Sequence, residues 1–381
     1  MQYRRFGKTE QMVSILGFGC MRLPLVPGTD GQIDEAKAIS LIRQAIDQGV
    51  NYIDTAYPYH GQTMGEGGAS EPLVGRALQD GYRDKVFLAT KSPCWLVQEP
   101  ADFDRFLDEQ LQRLQTDHID FYLMHALDTE KWEILKANDF AGFLDRAIAS
   151  GRIRYAGFSF HDKLPLFKEI IDAYDWSFCQ IQYNYLDEAF QAGTEGLRYA
   201  AERDLGVTIM EPLRGGKLAG VMPPDVQAAF DQSPTPYSPA QWGLRWVWNH
   251  PEVSVVLSGL NQADHLAENL RTAADMLPES LTADELAIID QAKAIFKART
   301  KVDCTGCRYC QPCPNDVPIP QIFKNYNNIY LFGDNDPADR QTLGQQAAGC
   351  IKCGLCEEHC PQGIPIRDRL SAIALEMENA Q

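Results

Sequence analysis

The sequence has no long hydrophobic run. No stretch of eighteen consecutive apolar residues occurs among its 381 residues, so we predict no membrane-spanning helix. The first eight residues carry charges with no apolar stretch behind them, so no secretory signal is predicted either. We therefore expect a cytoplasmic protein.

Positive charge is also scarce. The chain has 35 lysines and arginines against 52 aspartates and glutamates, a formal net charge of −17. A nucleic-acid-binding protein needs a basic surface to neutralise phosphates, so no nucleic-acid partner is predicted. The hydrophobic share of 45% suffices for a full core and excludes wholesale disorder. The acidity lies in residues 1–295, and solubility is the simplest reason for it.

Cysteine is sparse over most of the chain and crowded near one end. Residues 1–295 contain only Cys20, Cys94 and Cys179, whereas the other eight cysteines fall between Cys304 and Cys360. A secreted disulfide scaffold would be short and cysteine-rich throughout. The crowding instead predicts a metal-binding module attached to a reduced, intracellular protein. We predict two domains, residues 1–297 and 298–381, with a helix beginning at the capping pair Thr282 and Glu285 shortly before the boundary.

Short apolar runs alternate with longer helical patterns in the first domain. The runs predict strands over Val13–Phe18, Asn51–Asp54, Lys85–Thr90, Ile119–Met124, Arg154–Phe158, Phe178–Gln182, Val207–Met210 and Ser254–Leu257. The patterns between and after them predict helices over Asp34–Gln48, Ser70–Gln79, Asp102–Leu114, Phe140–Ala149, Leu164–Asp172, Thr194–Arg203, Pro239–Asn249 and Ala263–Thr272. Eight strands in strict alternation with eight helices predict a (β/α)₈ TIM barrel. Tyr3–Phe6 is predicted to form half of a hairpin at the barrel floor.

Polar residues stand where three consecutive predicted strands end. Asp54, Lys91 and His125 occupy these ends, and Tyr59 follows on the loop after Asp54. The C-terminal ends of barrel strands form the catalytic face. This set suits carbonyl reduction: Tyr59 would supply a proton, Lys91 would lower the tyrosine pKa, Asp54 would hold Lys91, and His125 would polarise the carbonyl. Any one of them has an ordinary structural explanation, and Tyr57 is an alternative proton donor, but the four together indicate a site.

These residues also carry a family resemblance. The segment Asp54-Thr55-Ala56-x-x-Tyr59, Lys91 after a strand, and Met124-His125 are similar to the Asp-Tyr-Lys-His tetrad of the aldo-keto reductases, and Ser70-Glu71 resembles the start of that family's second helix. The resemblance implies NAD(P)H-dependent interconversion of a small carbonyl and an alcohol. The glycine-rich segment Gly61–Gly68 departs from the family pattern. It would either reshape the substrate mouth or be a surface insertion.

The resemblance also implies where a nicotinamide nucleotide binds. The matching positions are Ser159, Gln180, Met210, Glu211, Pro212, Leu213, Ser258, Gly259, Leu260, His265, Glu268 and Asn269. Relatives that prefer NADPH place a lysine and an arginine where this chain has Gly259 and His265. The 2′-phosphate of NADPH favours fixed cations, so the choice between NADPH and NADH stays open. Arg214 or Lys217 could take the place of the missing lysine and arginine. His265 could also be an ordinary surface histidine.

Two cysteine quartets fill the second domain. They are Cys304, Cys307, Cys310 and Cys313, then Cys350, Cys353, Cys356 and Cys360 followed by Pro361. The second spacing matches the bacterial ferredoxin run, in which the fourth cysteine binds the other cluster. Zinc sites use two pairs instead. We predict two 4Fe-4S clusters, one held by Cys304, Cys307, Cys310 and Cys360, the other by Cys350, Cys353, Cys356 and Cys313.

One alternative for the clusters stays open. The first quartet has two residues before its last cysteine where the ferredoxin run has three. A single cluster held by the second quartet therefore remains an alternative. Gln321–Leu331 is predicted as a helix, which favours a mostly helical iron–sulfur domain.

Together the two halves resemble the iron–sulfur-bearing aldo-keto reductases of bacteria and archaea. The leading hypothesis is an oxidoreductase whose clusters exchange electrons with a ferredoxin or flavoprotein partner. Nicotinamide transfers two electrons as hydride, whereas each cluster transfers one, so a flavin partner or a separate step is required. The alternatives are a nicotinamide- and redox-sensing protein, and a reductase whose clusters are purely structural.

Overall fold

The computed structural model describes residues 1–29, 31–304, 306, 308–333, 336–360 and 362–379. Two compact units divide the chain. The larger comprises residues 1–218 and 240–281, and the smaller comprises residues 219–239 and 282–381. The boundary predicted at Lys297 lies inside a helix, Ala283–Arg299, that belongs to the smaller unit. That helix begins with the predicted capping box of Thr282 and Glu285.

The strands in the described residues are β1 Tyr3–Arg5, β2 Met12–Ser14, β3 Leu16–Gly19, β4 Tyr52–Asp54, β5 Phe87–Ser92, β6 Ile119–Leu127, β7 Ile153–Phe160, β8 Phe178–Gln182, β9 Gly206–Met210 and β10 Val255–Ser258. Strands β1 and β2 form an antiparallel hairpin. Strands β3 to β10 form a closed barrel in sequence order, with β10 joining β3. Every neighbouring pair is parallel. The predicted (β/α)₈ barrel is confirmed.

The helices are α1 Glu35–Asp47, α2 Ser70–Ala77, α3 Ala101–Leu114, α4 Thr129–Ala137, α5 Phe140–Ala149, α6 Leu164–Ala173, α7 Gly193–Ala201, α8 Pro224–Phe230, α9 Pro239–Trp248, α10 Ala263–Asp275, α11 Ala283–Arg299, α12 Ile319–Phe332, α13 Pro337–Ala348, α14 Leu355–Glu358 and α15 Ile366–Asn379. All eight predicted barrel helices are present within three residues of their predicted ends. Helix α4, which follows β6, and helix α8 were not predicted, because both are short inserts in loops.

One predicted strand is two strands. Val13–Phe18 was expected to be continuous, but the chain turns at Ile15, so that Ser14 pairs with Tyr3 in the hairpin and Leu16 pairs with Val256 in the barrel. The Ser14 hydroxyl donates to the carbonyl of Leu16 at 2.7 Å. This side-chain bond competes with the strand ladder and stabilises the turn.

The hairpin places an aromatic plug at the barrel floor. Phe6 is fully buried, and its ring centroid lies 5.8 Å from that of Tyr52, 4.7 Å from Phe121 and 5.4 Å from Phe178. These contacts, edge-on to Tyr52 and Phe121 and tilted to Phe178, fill the barrel end at which the strands begin. The polar side chains therefore gather at the other end, where the strands finish.

The smaller unit is mostly helical, as predicted. Helix α12 extends the predicted Gln321–Leu331 by two residues at its start and one at its end. The hydroxyls of Tyr326 and Tyr330 both donate to the carboxylate of Glu376 on α15, Tyr326 at 2.7 Å. The buried core includes Val302, Val317, Ile322, Phe323, Leu370, Ile373 and Met377.

Candidate functional site

Three adjacent strands bring the predicted polar residues together. Asp54 is the last residue of β4, Lys91 lies inside β5, and His125 lies inside β6. The pairs β4–β5 and β5–β6 are direct neighbours in the barrel. Lys91 and His125 were predicted to follow their strands, but β5 and β6 run one and two residues beyond them. Their side chains therefore stand on the rigid barrel wall and not on loops.

Lys91 is the centre of the arrangement. Its ammonium donates to Asp54 at 2.7 Å to Oδ1 and 2.8 Å to Oδ2, and to the carbonyl of Thr55 at 2.7 Å. It also donates to the hydroxyl of Tyr59 at 3.3 Å. Lys91 and Asp54 are buried, at 0% and 2% exposure. A buried ammonium requires such a partner to stay charged.

The hydroxyl of Tyr59 sits in an environment that keeps it protonated. Burial raises the pKa of Tyr59, while the positive charge of Lys91 acts to lower it without cancelling the rise. Lys91 thus lowers this pKa as expected, but desolvation, which the sequence analysis did not consider, is the larger effect and the net shift is upward. For Lys91, burial favours the neutral form, but Asp54 and Tyr59 raise its pKa above the ordinary value. The alternative donor Tyr57 points its hydroxyl at Glu109, 3.4 Å away, instead.

His125 is held as a neutral imidazole. Burial lowers its pKa well below the ordinary value, and the charges of Lys91, His161 and Lys131 act in the same direction. The strand is irregular between Met124 and Leu127, with Ala126 in a left-handed conformation, and the backbone N–H of His125 donates to Cys94 Sγ at 3.2 Å. Within the described residues, buried Nδ1 of His125 has no hydrogen-bond partner. The ring lies 6.0 Å from the Tyr59 ring, centroid to centroid.

A buried polar network supports the strand that carries Lys91. Glu71 on α2 is fully buried and accepts from Thr90 and Gln110 at 2.7 Å each, and from Arg113 at 2.9 Å. Gln110 also donates to the carbonyl of Lys91 at 3.1 Å. The carboxylate thus has a partner for every buried oxygen, which is what makes burial of a charge tolerable.

The glycine-rich segment 61–68 borders the site. Its Gly68 packs against the carbonyl of Tyr59 so closely that a Cβ there would overlap that oxygen. The indole N–H of Trp95 donates to the carbonyl of Met64 at 2.8 Å, and the Trp95 ring lies 5.4 Å from the ring of His125. The segment is thus bonded to a side chain that flanks His125, while its residues 61–66 are exposed, so both explanations of the segment stay open.

The described cysteines of the smaller unit line two separate cavities. Cys313, Cys350, Cys353 and Cys356 line one of about 200 Å³, which Cys310 also touches, and Cys304, Cys310 and Cys360 line a smaller one. Cys307 and Pro361 lie outside the described residues. All the described cysteines are free of disulfides, and over the described ranges no three His, Cys, Asp or Glu side chains are grouped to hold a single metal ion. Each cavity is lined by cysteines from both quartets.

A family model described as "Aldo/keto reductase family" matches residues 15–294, more than half of the chain. The chain belongs to the aldo/keto reductase family. A second model, "4Fe-4S dicluster domain", matches residues 303–364. The two matches lie on either side of the predicted domain boundary. In the described residues of this aldo-keto reductase, no helix has the length and apolarity needed to cross a membrane.

Known relatives cover the barrel. L-galactose dehydrogenase of Arabidopsis thaliana is 26% identical over 78% of this chain and 95% of its own length. The uncharacterized oxidoreductase YrpG of Bacillus subtilis is 32% identical over 58% of this chain and 69% of its own length. The holo form of aldo-keto reductase AKR11C1 from Bacillus halodurans superimposes with a TM-score of 0.61 at 26% identity, covering 77% of this chain and 96% of that one.

The residues predicted to contact a nicotinamide, Ser159, Gln180 and Met210, lie on β7, β8 and β9 of this aldo-keto reductase. Ser159 and Gln180 are buried, and Met210 ends β9. Ser159 Oγ accepts from the backbone N–H of Ala126 at 2.7 Å, which leaves its own proton to donate. Gln180 donates to Met210 Sδ at 3.5 Å, and among the described residues its buried Oε1 has no partner. An unpaired buried acceptor beside a free hydroxyl donor fits a carboxamide, which needs one of each.

The segment after β9 is fixed by a residue that the sequence analysis did not single out. Asn184 is fully buried, and its amide donates to the carbonyl of Glu211 at 3.1 Å while its oxygen accepts from two backbone N–H groups. Of the predicted positions here, Pro212 is buried and Leu213 half-buried. The only signal for Asn184 was its place two residues after β8.

Arg22 was also missed. It follows β3 in a short turn, its side chain packs against Gly259, and its guanidinium pairs with Glu211 at 3.3 Å. The Arg22 side chain thus lies beside Gly259, and its place after β3, far from Gly259 in the chain, kept it out of the sequence argument.

The predicted adenine-end residues lie on β10 and α10. Asn269 donates to Ser258 Oγ at 3.0 Å, and both are buried, as is Leu260. His265 is exposed and Glu268 half-buried. The structure brings Ser258 and Asn269 together but places His265 on the helix surface.

Proposed function

We propose that this protein is an NAD(P)H-dependent oxidoreductase that interconverts a small carbonyl compound and an alcohol. The observation that carries the proposal is the contact of Lys91 Nζ with both Asp54 and the Tyr59 hydroxyl. A buried ammonium held against a phenol serves proton transfer and has no obvious structural purpose. The positioning of Asp54, Tyr59, Lys91 and His125 on one barrel rim supports the same conclusion.

The nicotinamide, when bound, supplies the hydride. Tyr59 then gives its proton to the oxygen of the substrate, and Lys91 stabilises the phenolate that remains. The raised pKa of Tyr59 ensures that the proton is present at neutral pH. In the reverse direction the same phenolate takes the proton from the alcohol.

His125 acts as a neutral hydrogen-bond donor. Its lowered pKa keeps the imidazole uncharged, so it polarises the carbonyl through an N–H group without itself being a strong acid. A fixed donor of this kind, held on a strand, stabilises the charge that develops on the oxygen.

The nucleotide binds along Ser159, Gln180, Glu211–Leu213 and Ser258–Asn269 in this proposal. The unpaired oxygen of Gln180 and the donor capacity of Ser159 receive the carboxamide. In this proposal Arg22, whose aliphatic side chain packs against Gly259, supplies the cation for a 2′-phosphate, whereas exposed His265 is not needed. Parallel titrations with NADPH and NADH decide between the two nucleotides.

The smaller unit holds two 4Fe-4S clusters in this proposal, and their thiolates follow the crossed assignment. The separate cavities support it, because each brings members of both quartets together. A cluster when bound exchanges single electrons, and we propose that these are passed to or from a partner protein. We propose the cytoplasm as the place of action, because thiolates that hold a cluster must be kept reduced.

The experiment that tests this function uses anaerobically purified protein with its iron retained. Oxidation of NADPH and of NADH is followed with a panel of small aldehydes, ketones and sugars, and the iron–sulfur absorption and EPR signal are recorded in parallel. Turnover of a carbonyl with either nucleotide is expected. Nucleotide binding without turnover of any carbonyl would contradict the reductase and favour a sensor, and clusters that cannot be reduced reversibly would favour a structural role.

A further inference from the structure

An exposed apolar surface surrounds one thiol of the larger cysteine cavity. Tyr309, Ile351 and Leu355 line that cavity and are 56%, 60% and 48% exposed. Cys353, which lies between Ile351 and Leu355 in the chain, is the exposed cysteine among those described, whereas the others of this unit are half-buried. We call these four residues the Cys353 patch. Apolar groups held together in water around a functional group indicate an interaction surface.

The patch marks the most accessible route to a cluster. Electron transfer slows steeply with distance, so a protein donor must approach the edge of the cluster that comes nearest to solvent. In the crossed assignment Cys353 is a ligand of the cluster in the larger cavity. A partner centred on Cys353 would therefore reach that cluster through a single side chain.

The exposed basic residues beside the patch are Lys352 and Arg308, and one exposed acidic residue, Glu358, lies three residues after Leu355 at the end of α14. Lys352 stands next to Cys353, is exposed, and forms no ion pair with any described residue. Arg308, beside Tyr309, is exposed as well. The charged or titratable residues that line the cavity, apart from its cysteines and Tyr309, are His359 and Arg367, with no aspartate or glutamate among the lining residues. Arg367 is paired with Glu357 at 2.7 Å, so among the described residues Lys352 and Arg308 carry the positive charge that a partner can reach.

This local charge contrasts with the rest of the chain. The protein as a whole carries −17, but residues 296–381 hold nine basic and ten acidic residues. An acidic partner is therefore repelled less by residues 296–381, whose net charge is −1, than by residues 1–295, whose net charge is −16. Complementary charge steers encounter and fixes orientation, and small apolar centres suit transient redox encounters.

We propose that the Cys353 patch is the docking site of a one-electron carrier protein with an acidic face. The inference rests on the proposed function, since it requires the cluster. In each encounter one electron passes between the carrier's redox centre and the cluster: the carrier is oxidised by one electron and the cluster is reduced by one, or the reverse. No bond is made or broken. Ile351 and Leu355 provide the contact, and Lys352 provides the attraction.

The test uses the complete iron-loaded protein and an acidic bacterial ferredoxin as the probe. The dissociation constant of the two oxidised proteins is measured at low and high salt, and the rate of cluster reduction by reduced ferredoxin is measured by stopped flow. Lys352→Glu and Ile351→Glu are each expected to weaken binding and slow ferredoxin-driven reduction about tenfold at low salt. Lys352→Glu is also expected to flatten the salt dependence.

Matched controls place the same changes elsewhere on the unit. Leu375→Glu alters an apolar side chain that is 60% exposed on α15. Lys297→Glu reverses an exposed charge on α11. Neither variant is expected to change the binding of ferredoxin or the rate at which ferredoxin reduces the cluster. Reduction by the small mediator methyl viologen is expected to be unchanged in all four variants, and iron content is checked in each. If Ile351→Glu hinders cluster assembly, Tyr309→Ser replaces it.

The possible outcomes distinguish failure of the docking site from failure of the proposed electron-transfer function. Protein that assembles no reducible cluster overturns the proposed electron transfer itself. Clusters that methyl viologen reduces, but that ferredoxin reduces equally fast in wild type and patch variants, overturn the docking site alone. The docking site is also overturned if the variants slow cluster reduction by methyl viologen as much as reduction by ferredoxin, because the substitutions would then have changed the cluster itself. It is overturned as well if the patch variants change only the self-association of the chain.

Discussion

Lys91 donates from one ammonium to both carboxylate oxygens of Asp54, at 2.7 and 2.8 Å, across two neighbouring strands where both side chains are buried. The contact places a fixed positive charge 3.3 Å from the hydroxyl of Tyr59. Because Lys91 lies on a strand of the barrel, its ammonium does not have to move to stabilise the phenolate when the Tyr59 hydroxyl loses its proton.

Asp54→Asn tests whether the carboxylate maintains the charge of Lys91. Asp54 raises the pKa of Lys91 against the effect of burial, so its replacement should let that pKa fall. We expect kcat/KM to decrease about 10²-fold and its decline at alkaline pH to move to lower pH. We also expect the free energy of unfolding to fall by about 3–5 kcal/mol.

The matched control is Glu35→Gln, which breaks an exposed ion pair with Arg76 and should change neither quantity by much. A pH profile with the same limits as wild type, despite lower activity, would show that Asp54 acts on structure only.

The buried neutral His125 predicts a loss of stability in acid. Its pKa in the folded protein lies well below the ordinary value because of burial, so the unfolded chain binds a proton that the folded chain does not. Stability contributed in this way is intact above the unfolded pKa of about 6.5 and falls as pH drops below it. At one pH unit below that value the loss from one such histidine is about 1.4 kcal/mol.

Urea unfolding at pH 7.5 and 5.5 measures this effect. His125→Gln should reduce the difference between the two pH values by about that amount, whereas His265→Gln, on the exposed surface of α10, should leave it unchanged. An equal pH dependence in wild type and His125→Gln would show that His125 does not resist protonation.

Arg22 is expected to contribute to nucleotide binding. Its side chain lies against Gly259 and its guanidinium bridges to Glu211, so Arg22→Ala removes a cation and loosens the segment after β9. We expect the dissociation constant for NADPH to rise about tenfold, as for the loss of a hydrogen bond to a charged group. Tryptophan fluorescence quenching measures it, with Met21→Ala as control because Met21 is the exposed neighbour. Unchanged affinity for both nucleotides would exclude Arg22 from the nucleotide site.

Serine substitutions test the crossed cluster ligation. In that assignment Cys313 and Cys353 hold one cluster and Cys360 and Cys304 hold the other, so Cys313→Ser and Cys353→Ser should lose half of the iron and leave the same residual EPR spectrum. Cys179→Ser, a buried barrel cysteine, should retain all the iron. A Cys313→Ser spectrum that matched Cys304→Ser would show that each quartet holds its own cluster.

The sequence was sufficient for the barrel because its strands and helices alternate with clear periodicity. The sequence also predicted that four polar residues lie together, because parallel strands end at one rim of a barrel. They are Asp54, Tyr59, Lys91 and His125. Boundaries were less accurate where a side chain interrupts the strand hydrogen bonding: Ser14 is the one polar side chain in the run Val13–Phe18 and divides it into two strands.

Contacts between distant segments could not be anticipated. Arg22 meets Gly259 only when β3 and β10 close the barrel, and Trp95 meets Met64 through a loop whose path no periodicity describes. The net pKa of Tyr59 was missed for a similar reason, because the depth of burial depends on the packed neighbours and Lys91 alone could be identified from the pattern.

The most direct measurement of the central claim is turnover of the Tyr59→Phe variant. The change removes only the hydroxyl that Lys91 contacts, and Tyr57→Phe removes a hydroxyl that faces Glu109. Carbonyl reduction should fall about 10²- to 10⁴-fold in Tyr59→Phe, with the nucleotide dissociation constant unchanged and Tyr57→Phe close to wild type. Turnover in Tyr59→Phe at the wild-type rate would contradict the assignment of Tyr59 as the proton donor and with it the proposed reductase mechanism.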